Sequence, residues 1–277
     1  MTISVVVPAY NEGAVLGRLL DALAGPDGGA GLQVVVVCNG CSDDTEEVAR
    51  RHPIAAVVVS TPVGSKHGAL VLGDQRAQGF PRFYVDADVV VTGDGVRRLA
   101  EQLHGGRHAV APGRDLRTER SAWVVRAYYA VWQHLPSVRD GLVGRGVLGV
   151  DEEGFARITP RPDVLGDDLV VDLAFAPQEK VVDDSVRARI EAPRTVGDLV
   201  RRRVRAQQGN RQVDRGPTGA SPRTGTGLSD VTRTVRRRAA SPAQAAVFLA
   251  VTLVGRTLAA RRSMAAGWLR DESSRAA

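Results

Sequence analysis

The sequence predicts an α/β protein, built on a mostly parallel sheet with helices on both faces and extended by helices at its C-terminal end. Through the first hundred residues, β-rich apolar runs alternate with segments whose apolar residues recur at helical spacing. Strand, helix, strand at this rhythm is typical of a parallel sheet that is covered on both faces. The chain has 277 residues and 43% hydrophobic content, enough to bury a full core.

Local patterns assign the elements of the first half in order. The β-rich runs predict strands over residues 3–8, 33–38 and 55–59, and a fourth that contains the acidic pair at 86 and 88. Apolar spacing and capping residues predict helices over 15–23, 44–51, 68–78 and 92–103, the last capped by Thr92.

The pattern is less regular after residue 112. It predicts a helix over 121–135, a glycine-rich strand over 143–150, a short strand over 180–183, a basic helix over 194–208 and an apolar helix over 242–260. Residues 212–228 are rich in Gly, Pro, Ser and Thr, which indicates a mobile loop or linker. The predicted organisation is a main domain over 1–211, this linker, and a C-terminal helical segment over 229–277.

The apolar helix over 242–260 is flanked by arginines and falls short of comfortable membrane-spanning length. Its composition suits either packing on the core or lying on a membrane surface. No apolar run reaches the ~18 residues that a span needs, and no cleavable signal precedes the first strand. We therefore expect a cytoplasmic protein, with a peripheral contact at the inner face of the cell membrane as the alternative.

Arginine supplies nearly all of the positive charge. The formal net charge is +6, and Lys66 and Lys180 are the only lysines. Arginine favours phosphate because its planar fork makes paired hydrogen bonds, although a GC-rich genome biases composition in the same direction. The arginine clusters have little interleaved aromatic character, so no nucleic-acid partner is expected.

A Cys-x-x-Cys at Cys38 and Cys41 lacks the second pair that a zinc site needs, and redox chemistry stays a minor alternative.

Asp86 and Asp88 lie one residue apart inside an apolar run. In an extended strand such residues point to the same side, so their oxygens are expected to face one ligand together. That geometry suits Mn²⁺ or Mg²⁺ carrying diphosphate oxygens. Residues 8–12 and 39–43 also follow predicted strands, and the carboxyl ends of parallel strands form the usual ligand-binding rim.

Three motifs, at residues 7–12, 39–45 and 86–88, resemble in order and spacing the family 2 glycosyltransferases. The resemblance covers residues 3–92 specifically and 140–215 loosely. It implies an A-type glycosyltransferase fold, a nucleotide diphosphate sugar donor, and inversion at the anomeric centre with one carboxylate as base. It also implies a nucleotide and metal site in which Pro8, Ala9 and Tyr10 wrap the nucleotide, Glu12 and Asn39 reach ribose and base, and Asp86 and Asp88 hold metal and diphosphate.

The resemblance places the catalytic acidic pair at Asp167 and Asp168, with Asp168 matching the base. The alternative is an ordinary helix start, where acids offset exposed amides. Lys66 lies where relatives often carry a basic or polar residue near the nucleotide, against a solvated lysine as the alternative. Arg203 and Arg205 correspond to a stretch whose arginines can face the diphosphate.

The family usually has an aspartate at the position of Asn39, which leaves the identity of the base open. The sequence therefore predicts a metal-dependent inverting glycosyltransferase that acts on an acceptor hydroxyl, in the synthesis of a cell-surface glycan, a glycolipid or a secondary metabolite. One alternative is a sugar nucleotidyltransferase, although residues 8–12 lack its glycine-rich basic loop. The other is a non-catalytic nucleotide-binding module, which the acidic pair at Asp167 and Asp168 disfavours.

Overall fold

The computed structural model describes residues 2–164, 166–214 and 227–261. Its centre is a seven-stranded sheet of order β3-β2-β1-β4-β6-β5-β7. The strands are β1 (Ile3–Ala9), β2 (Leu32–Asn39), β3 (Val57–Thr61), β4 (Arg82–Val85), β5 (Ala109–Arg117), β6 (Val147–Val150) and β7 (Lys180–Glu191). Strand β6 runs antiparallel to both of its neighbours, and the other pairs are parallel. The predicted α/β class with a mostly parallel sheet is confirmed.

The helices cover both faces of this sheet and extend beyond one end of it. They are α1 (Gly13–Ala24), α2 (Thr45–Arg51), α3 (Lys66–Arg76), α4 (Gly93–Ala100), α5 (Trp123–Trp132), α6 (Pro136–Arg139), α7 (Glu152–Ile158), α8 (Asp167–Leu173), α9 (Val196–Asp214), α10 (Leu228–Arg236) and α11 (Pro242–Arg261). Thr92 Oγ1 accepts a hydrogen bond from the Gly95 amide at 3.0 Å, which is the predicted cap of α4. Ser65 caps α3 in the same way, so that helix starts two residues earlier than the sequence predicts.

Strand β1 is buried on both sides because alternate residues face opposite layers. Val5 and Val7 pack with Leu16 of α1 in the larger core cluster. Val6 belongs to a second cluster that contains Leu70 of α3. The continuous apolar run of β1 is thus the sequence signature of a central parallel strand.

The edge beyond β6 departs most from the sequence prediction. Strand β5 was not predicted, because Pro112 and the charges after it interrupt its apolar run. Strand β7 continues to Glu191, well past the predicted end at residue 183. Its second half alternates buried residues with exposed charged ones, as an edge strand with one solvated face does. The glycine-rich strand predicted from residue 143 is confined to β6, because residues 143–146 form a loop.

The C-terminal helices pack on the rest of the chain. Phe248 of α11 stacks on Tyr128 of α5 with ring centroids 5.0 Å apart. The outer face of α11 leaves four large apolar side chains exposed: Leu249, Leu253, Val254 and Leu258. Among the described residues, α11 is one helix of 20 residues that is long and apolar enough to cross a membrane by length and composition, with 33% of that stretch buried. The expectation that no segment reaches spanning length is therefore wrong.

The linker predicted over 212–228 falls mostly outside the described residues. Helix α9 continues to Asp214 and α10 begins at Leu228, so both ends of the predicted stretch are helical. The division into domains stays a prediction.

Candidate active site

The loops that follow β1 and β2 are joined by side-chain hydrogen bonds. Asn11 Oδ1 accepts from the Ser42 amide at 2.7 Å, and Asp43 Oδ2 accepts from the Gly13 amide at 3.1 Å. Gly40 has a φ of 62°, and a Cβ there would lie 2.7 Å from the backbone of Gly64. These glycines let three loops approach one another at the carboxyl ends of the strands.

Tyr10, Glu12 and Asn39 lie at this rim. Glu12 is 6% exposed, and its amide donates to Thr45 Oγ1 at 2.7 Å. Asn39 is 2% exposed and donates from Nδ2 to the Ala9 carbonyl at 2.8 Å, which ties the ends of β1 and β2 together. The predicted contacts of Glu12 and Asn39 with ribose and base stay predictions beside these structural roles.

Asp86 and Asp88 lie in a turn, which corrects the extended strand predicted for them. Strand β4 ends at Val85, and the Val89 amide donates to the Asp86 carbonyl at 3.0 Å. The Asp86 amide donates in turn to the Gly146 carbonyl at 2.8 Å. The positions of the two carboxylates are therefore set by this turn and not by strand alternation.

Lys66, the first residue of α3, joins the two acidic motifs. Its Nζ lies 3.1 Å from Asp86 Oδ1 and 3.1 Å from Asp167 Oδ2. Burial lowers the pKa of Lys66, but the charges of Asp167, Asp86 and Asp168 raise it, and the net pKa lies well above the usual value. The interpretation of Lys66 as a solvated lysine is wrong, because its side chain is 24% exposed and paired with two carboxylates.

Asp167 and Asp168 occupy the first turn of α8, as the helix-start alternative requires. They also contact groups outside the helix. Asp168 Oδ2 accepts a hydrogen bond from the Gly144 amide at 3.1 Å. Burial and the charge of Asp167 together raise the pKa of Asp168 to about 6, against the opposing charge of Lys66. Asp168 is therefore more basic than an ordinary carboxylate.

These groups line one cleft. Of the residues that the sequence predicts for the site, five line it: Pro8, Lys66, Asp86, Asp167 and Asp168. Its remaining walls are mostly apolar and come from α3, α8, the segment before α8, β4, β6 and the loop before β6: Leu70, Tyr84, Val85, Leu142, Gly146, Val147, Leu148, Arg161 and Val171.

The two arginines predicted from α9 face different neighbours. Residues two apart on a helix point to different sides. Arg203 has its guanidinium carbon 5.8 Å from the centre of the Tyr128 ring, among the C-terminal helices. Arg205 lies close enough to Lys66 to lower its pKa by charge repulsion. Of the two, Arg205 is the one that the structure brings to the acidic motifs.

Sequence reasoning missed two buried arginines that fix the loop carrying Gly144. Arg114 donates to the carbonyls of Val138 and Val143 at 2.8 and 2.6 Å, and Arg145 donates to the Pro112 carbonyl at 2.7 Å. Burial lowers the pKa of Arg114 to about 9 and that of Arg145 to about 10. The glycines around residue 145 indicate a turn, but no local pattern shows what these arginines bind.

Sequence reasoning also missed Asp74, Arg82 and Arg161, which form an ion cluster beside the same cleft. The members come from α3, β4 and the segment before α8. No spacing rule connects these positions, so only the fold brings them together.

The acidic residues of the cleft offer oxygen ligands of the kind that divalent cations prefer. Within the part of the chain that the structure describes, no group of three or more His, Cys, Asp or Glu side chains is placed to hold a metal. Two carboxylates after β4 nevertheless fit Mn²⁺ or Mg²⁺, because such ions take several ligands from phosphate and water. The donor set thus suits a cation that arrives with a diphosphate.

Comparison with known proteins agrees with this geometry. The family model described as "Glycosyl transferase family 2" matches residues 4–156. Undecaprenyl-phosphate 4-deoxy-4-formamido-L-arabinose transferases from Pseudomonas paraeruginosa and Pseudomonas aeruginosa are each 30% identical, over 129 and 131 residues. Each match covers 44% of this chain and 38% of the relative, so the chain matches about two fifths of each relative's length.

Among solved structures, the fold is similar to that of a mannosyltransferase from Pyrobaculum calidifontis in complex with GDP-Man and Mn²⁺. The TM-score is 0.59 at 19% identity, and the match covers 95% of this chain and 76% of that one. At this identity the likeness concerns the fold.

Proposed function

Because the chain belongs to glycosyl transferase family 2 and has the A-type glycosyltransferase fold, we propose that it transfers a sugar from a nucleotide diphosphate sugar to an acceptor hydroxyl with inversion. The observation that supports this most is the placement of Asp168. Its carboxylate, with a pKa raised to about 6, lines the same cleft as Asp86 and Lys66. In this proposal the general base and the residues that bind the diphosphate therefore lie in the same cleft.

Asp168 is the proposed general base. An acceptor hydroxyl has too high a pKa to attack unaided at neutral pH, so a carboxylate within ~3 Å must take its proton. The Gly144 amide holds one oxygen of Asp168, and Arg114 and Arg145 fix the loop that carries this amide. Deprotonated, the hydroxyl attacks the anomeric carbon, and the bond to the diphosphate breaks on the opposite face.

The departing nucleoside diphosphate develops negative charge. A Mn²⁺ or Mg²⁺ held by Asp88 and Asp86 would neutralise that charge when bound. Lys66 fixes Asp86 and Asp167 relative to each other through its two ion pairs. Arg205, whose charge acts on Lys66, would add a charge-assisted hydrogen bond to phosphate.

The remaining rim residues take the nucleotide in this proposal. Pro8 and Ala9, the last two residues of β1, and Tyr10, which follows them, contact it, and Glu12 and Asn39 reach ribose and base. Because Asn39 is held by the Ala9 carbonyl, its contact with the base depends on its other amide atom. The base and the sugar are left to experiment.

The experiment is a panel of nucleotide sugars with Mn²⁺, followed by thermal shift and by release of nucleoside diphosphate. One member is expected to stabilise the protein and to be hydrolysed slowly without acceptor. Release of pyrophosphate from a sugar phosphate and a nucleoside triphosphate would instead support a nucleotidyltransferase. Binding without turnover in the presence of any acceptor extract would support a non-catalytic module.

A second candidate acceptor is a lipid phosphate. The curated relatives carry undecaprenyl phosphate in their names, and the outer face of α11 exposes apolar side chains suited to a membrane surface. With such an acceptor the product is a glycolipid and the enzyme works at the cytoplasmic face of the membrane. With a soluble hydroxyl acceptor the product is a glycan precursor or a secondary metabolite.

A further inference from the structure

A buried ion cluster lies beside the cleft, centred on the carboxylate of Asp74. Arg82 Nη1 donates to Asp74 Oδ1 at 3.0 Å, and Arg161 Nε donates to Asp74 Oδ2 at 3.2 Å. The Tyr84 hydroxyl donates to Asp74 Oδ1 at 2.7 Å. The side chains of Arg82, Arg161 and Asp74 are 5%, 9% and 13% exposed. Water therefore has little access to any of the three charges.

This cluster carries one positive charge more than its acid can balance. Two guanidiniums share one carboxylate, and the neutral Tyr84 hydroxyl adds a donor and no negative charge. A buried charge without a counter-charge is strongly unfavourable, so such groups are normally paired or bind a ligand. A negatively charged ligand would therefore stabilise the surplus positive charge of this cluster.

Arg82 has more partners than Arg161, although its Nε is also buried without a hydrogen-bond partner among the described residues. Its guanidinium lies 4.6 Å and 4.5 Å from the ring centres of Phe80 and Phe155, and Nη2 donates to the Ala77 carbonyl at 3.1 Å. Its bond to Asp74 completes a neutral pair. Arg161 lines the cleft and Arg82 is not among its lining residues, so a ligand in the cleft meets the surplus charge at Arg161.

Arg161 is held in place but incompletely bonded. Its guanidinium lies over the Tyr84 ring, 4.0 Å from the centre, and Asp74 fixes its Nε. Its Nη2 is buried and has no hydrogen-bond partner among the residues that the structure describes. Arg161 also lines the cleft that contains Asp168. A guanidinium held rigidly in the wall of a cleft is suited to recognise a carboxylate or a phosphate.

We infer that Arg161 binds an anionic group, a carboxylate or a phosphate, of the substrate molecule that enters this cleft. The inference rests on the proposed function only in taking that molecule to be the acceptor or the donor sugar. The other charged wall has three carboxylates, Asp86, Asp167 and Asp168, against one ammonium. Since that wall repels an anion that brings no cation, the anionic group binds at Arg161.

The test is calorimetric titration of the whole chain with two small probes, inorganic phosphate and glucuronate. The wild-type protein is expected to bind at least one of them saturably. Arg161→Met should weaken that binding roughly tenfold or more, the size expected for a lost hydrogen bond to a charged group. Arg98→Met, which removes an exposed arginine of α4 remote from the cleft lining, is the matched control and should bind like wild type.

Arg161→Lys is the second variant. It keeps the positive charge but lacks the planar guanidinium that makes paired hydrogen bonds. It should bind the same probe more weakly than wild type, and it reports on the site even if the Met variant fails to fold. No saturable binding of either probe to wild type, or equal binding by all folded variants, would overturn the inference.

The titration needs no turnover, so it is separate from the test of the proposed function. Anion binding that depends on Arg161 stands even if no nucleotide sugar is consumed. Once a transfer assay exists, inhibition by the probe distinguishes the two sources. Competition against the acceptor assigns the anionic group to the acceptor, and competition against the donor assigns it to the donor sugar.

Discussion

Two clusters of charged side chains border the same cleft, and their unbalanced charges have opposite sign. Around Lys66, three carboxylates surround one ammonium. Around Asp74, two guanidiniums share one carboxylate. Neither cluster balances itself, although each is at least half-buried. The first can be completed by a cation or a proton, and the second by an anion.

The contrast shows how a binding cleft can have excess negative charge on one side and excess positive charge on the other. A buried pair of equal and opposite charges is complete without a ligand, whereas an unequal group is stabilised by binding one. In the first cluster, burial and then the charge of Asp167 raise the pKa of Asp168 to about 6. In the second, Arg161 has a buried Nη2 with no hydrogen-bond partner among the residues that the structure describes.

The largest expected effect comes from removing the base from the acidic cluster. Asp168→Asn keeps the shape of the side chain and loses the proton acceptor, so turnover should fall by ~10² to 10⁴. Donor affinity should survive, because the nucleotide is held at the other motifs. The measurement is sugar transfer at saturating donor, with donor binding checked separately.

Asp167→Asn is the matched control for this change, because it lies one residue away and pairs with Lys66. Its effect on turnover should be milder. Near-normal turnover in Asp168→Asn, or a loss of donor affinity equal to the loss of rate, would remove Asp168 from the catalytic role and leave both acids as an ordinary helix start.

The second prediction concerns the cation. Asp88→Ala should weaken binding of a nucleoside diphosphate in the presence of Mn²⁺ by at least roughly tenfold, since even indirect partners of a metal have effects of this size. Binding in the presence of a chelator should be weak for wild type and variant alike. Asp94→Ala, on the exposed start of α4, is the control. Equal affinity for wild type with Mn²⁺ and with chelator would refute the metal assignment.

The third prediction is a pH dependence. Turnover should fall as the pH drops through about 6, because protonated Asp168 cannot act as base. Lys66→Met removes a positive charge that lowers the pKa of Asp168, so it should move this acidic limb to higher pH. Rate profiles of both proteins measure the shift. An unchanged limb in the variant would mean that another group sets it.

The same pKa has a consequence for folding stability. Folding raises the pKa of Asp168 from 3.8 to about 6. The contribution of Asp168 to folding stability is therefore fully present below pH 3.8 and is lost as the pH rises through about 6. Asp168→Asn does not titrate, so it should gain stability relative to wild type between pH about 5 and about 8. Thermal unfolding at both pH values measures this, and a constant difference would contradict it.

The smallest expected effect is binding of the outer face of α11 to a membrane surface, which would bring the cleft close to a lipid substrate. The outer face of α11 is apolar and is flanked by Arg256 and Arg261, so we expect weak, salt-sensitive flotation with anionic vesicles. Leu253→Ser should reduce it, and neutral vesicles are the control. Recovery of the wild type entirely in the soluble fraction at low salt would exclude the surface contact.

The sequence predicted those parts of the molecule that depend on neighbours along the chain. The first three strands, the Thr92 cap and the acidic motifs on the rim follow from local patterns, and the family resemblance adds Asp168. The strand geometry assumed for Asp86 and Asp88 was wrong, because the Gly146 carbonyl and a turn decide it. The partners of Lys66, Asp168 and Arg161 lie in distant segments, so only the folded sheet specifies them.

The contacts of the Asp74 cluster are expected to form in a definite order during folding. Asp74 and Arg82 are 8 residues apart, whereas Asp74 and Arg161 are 87 apart. Local contacts form at less entropic cost than distant ones, so the neutral pair is expected to form early during folding. Arg161 joins it only when the segment before α8 docks. The unbalanced positive charge of the cluster is thus expected to arise only after the segment before α8 has docked.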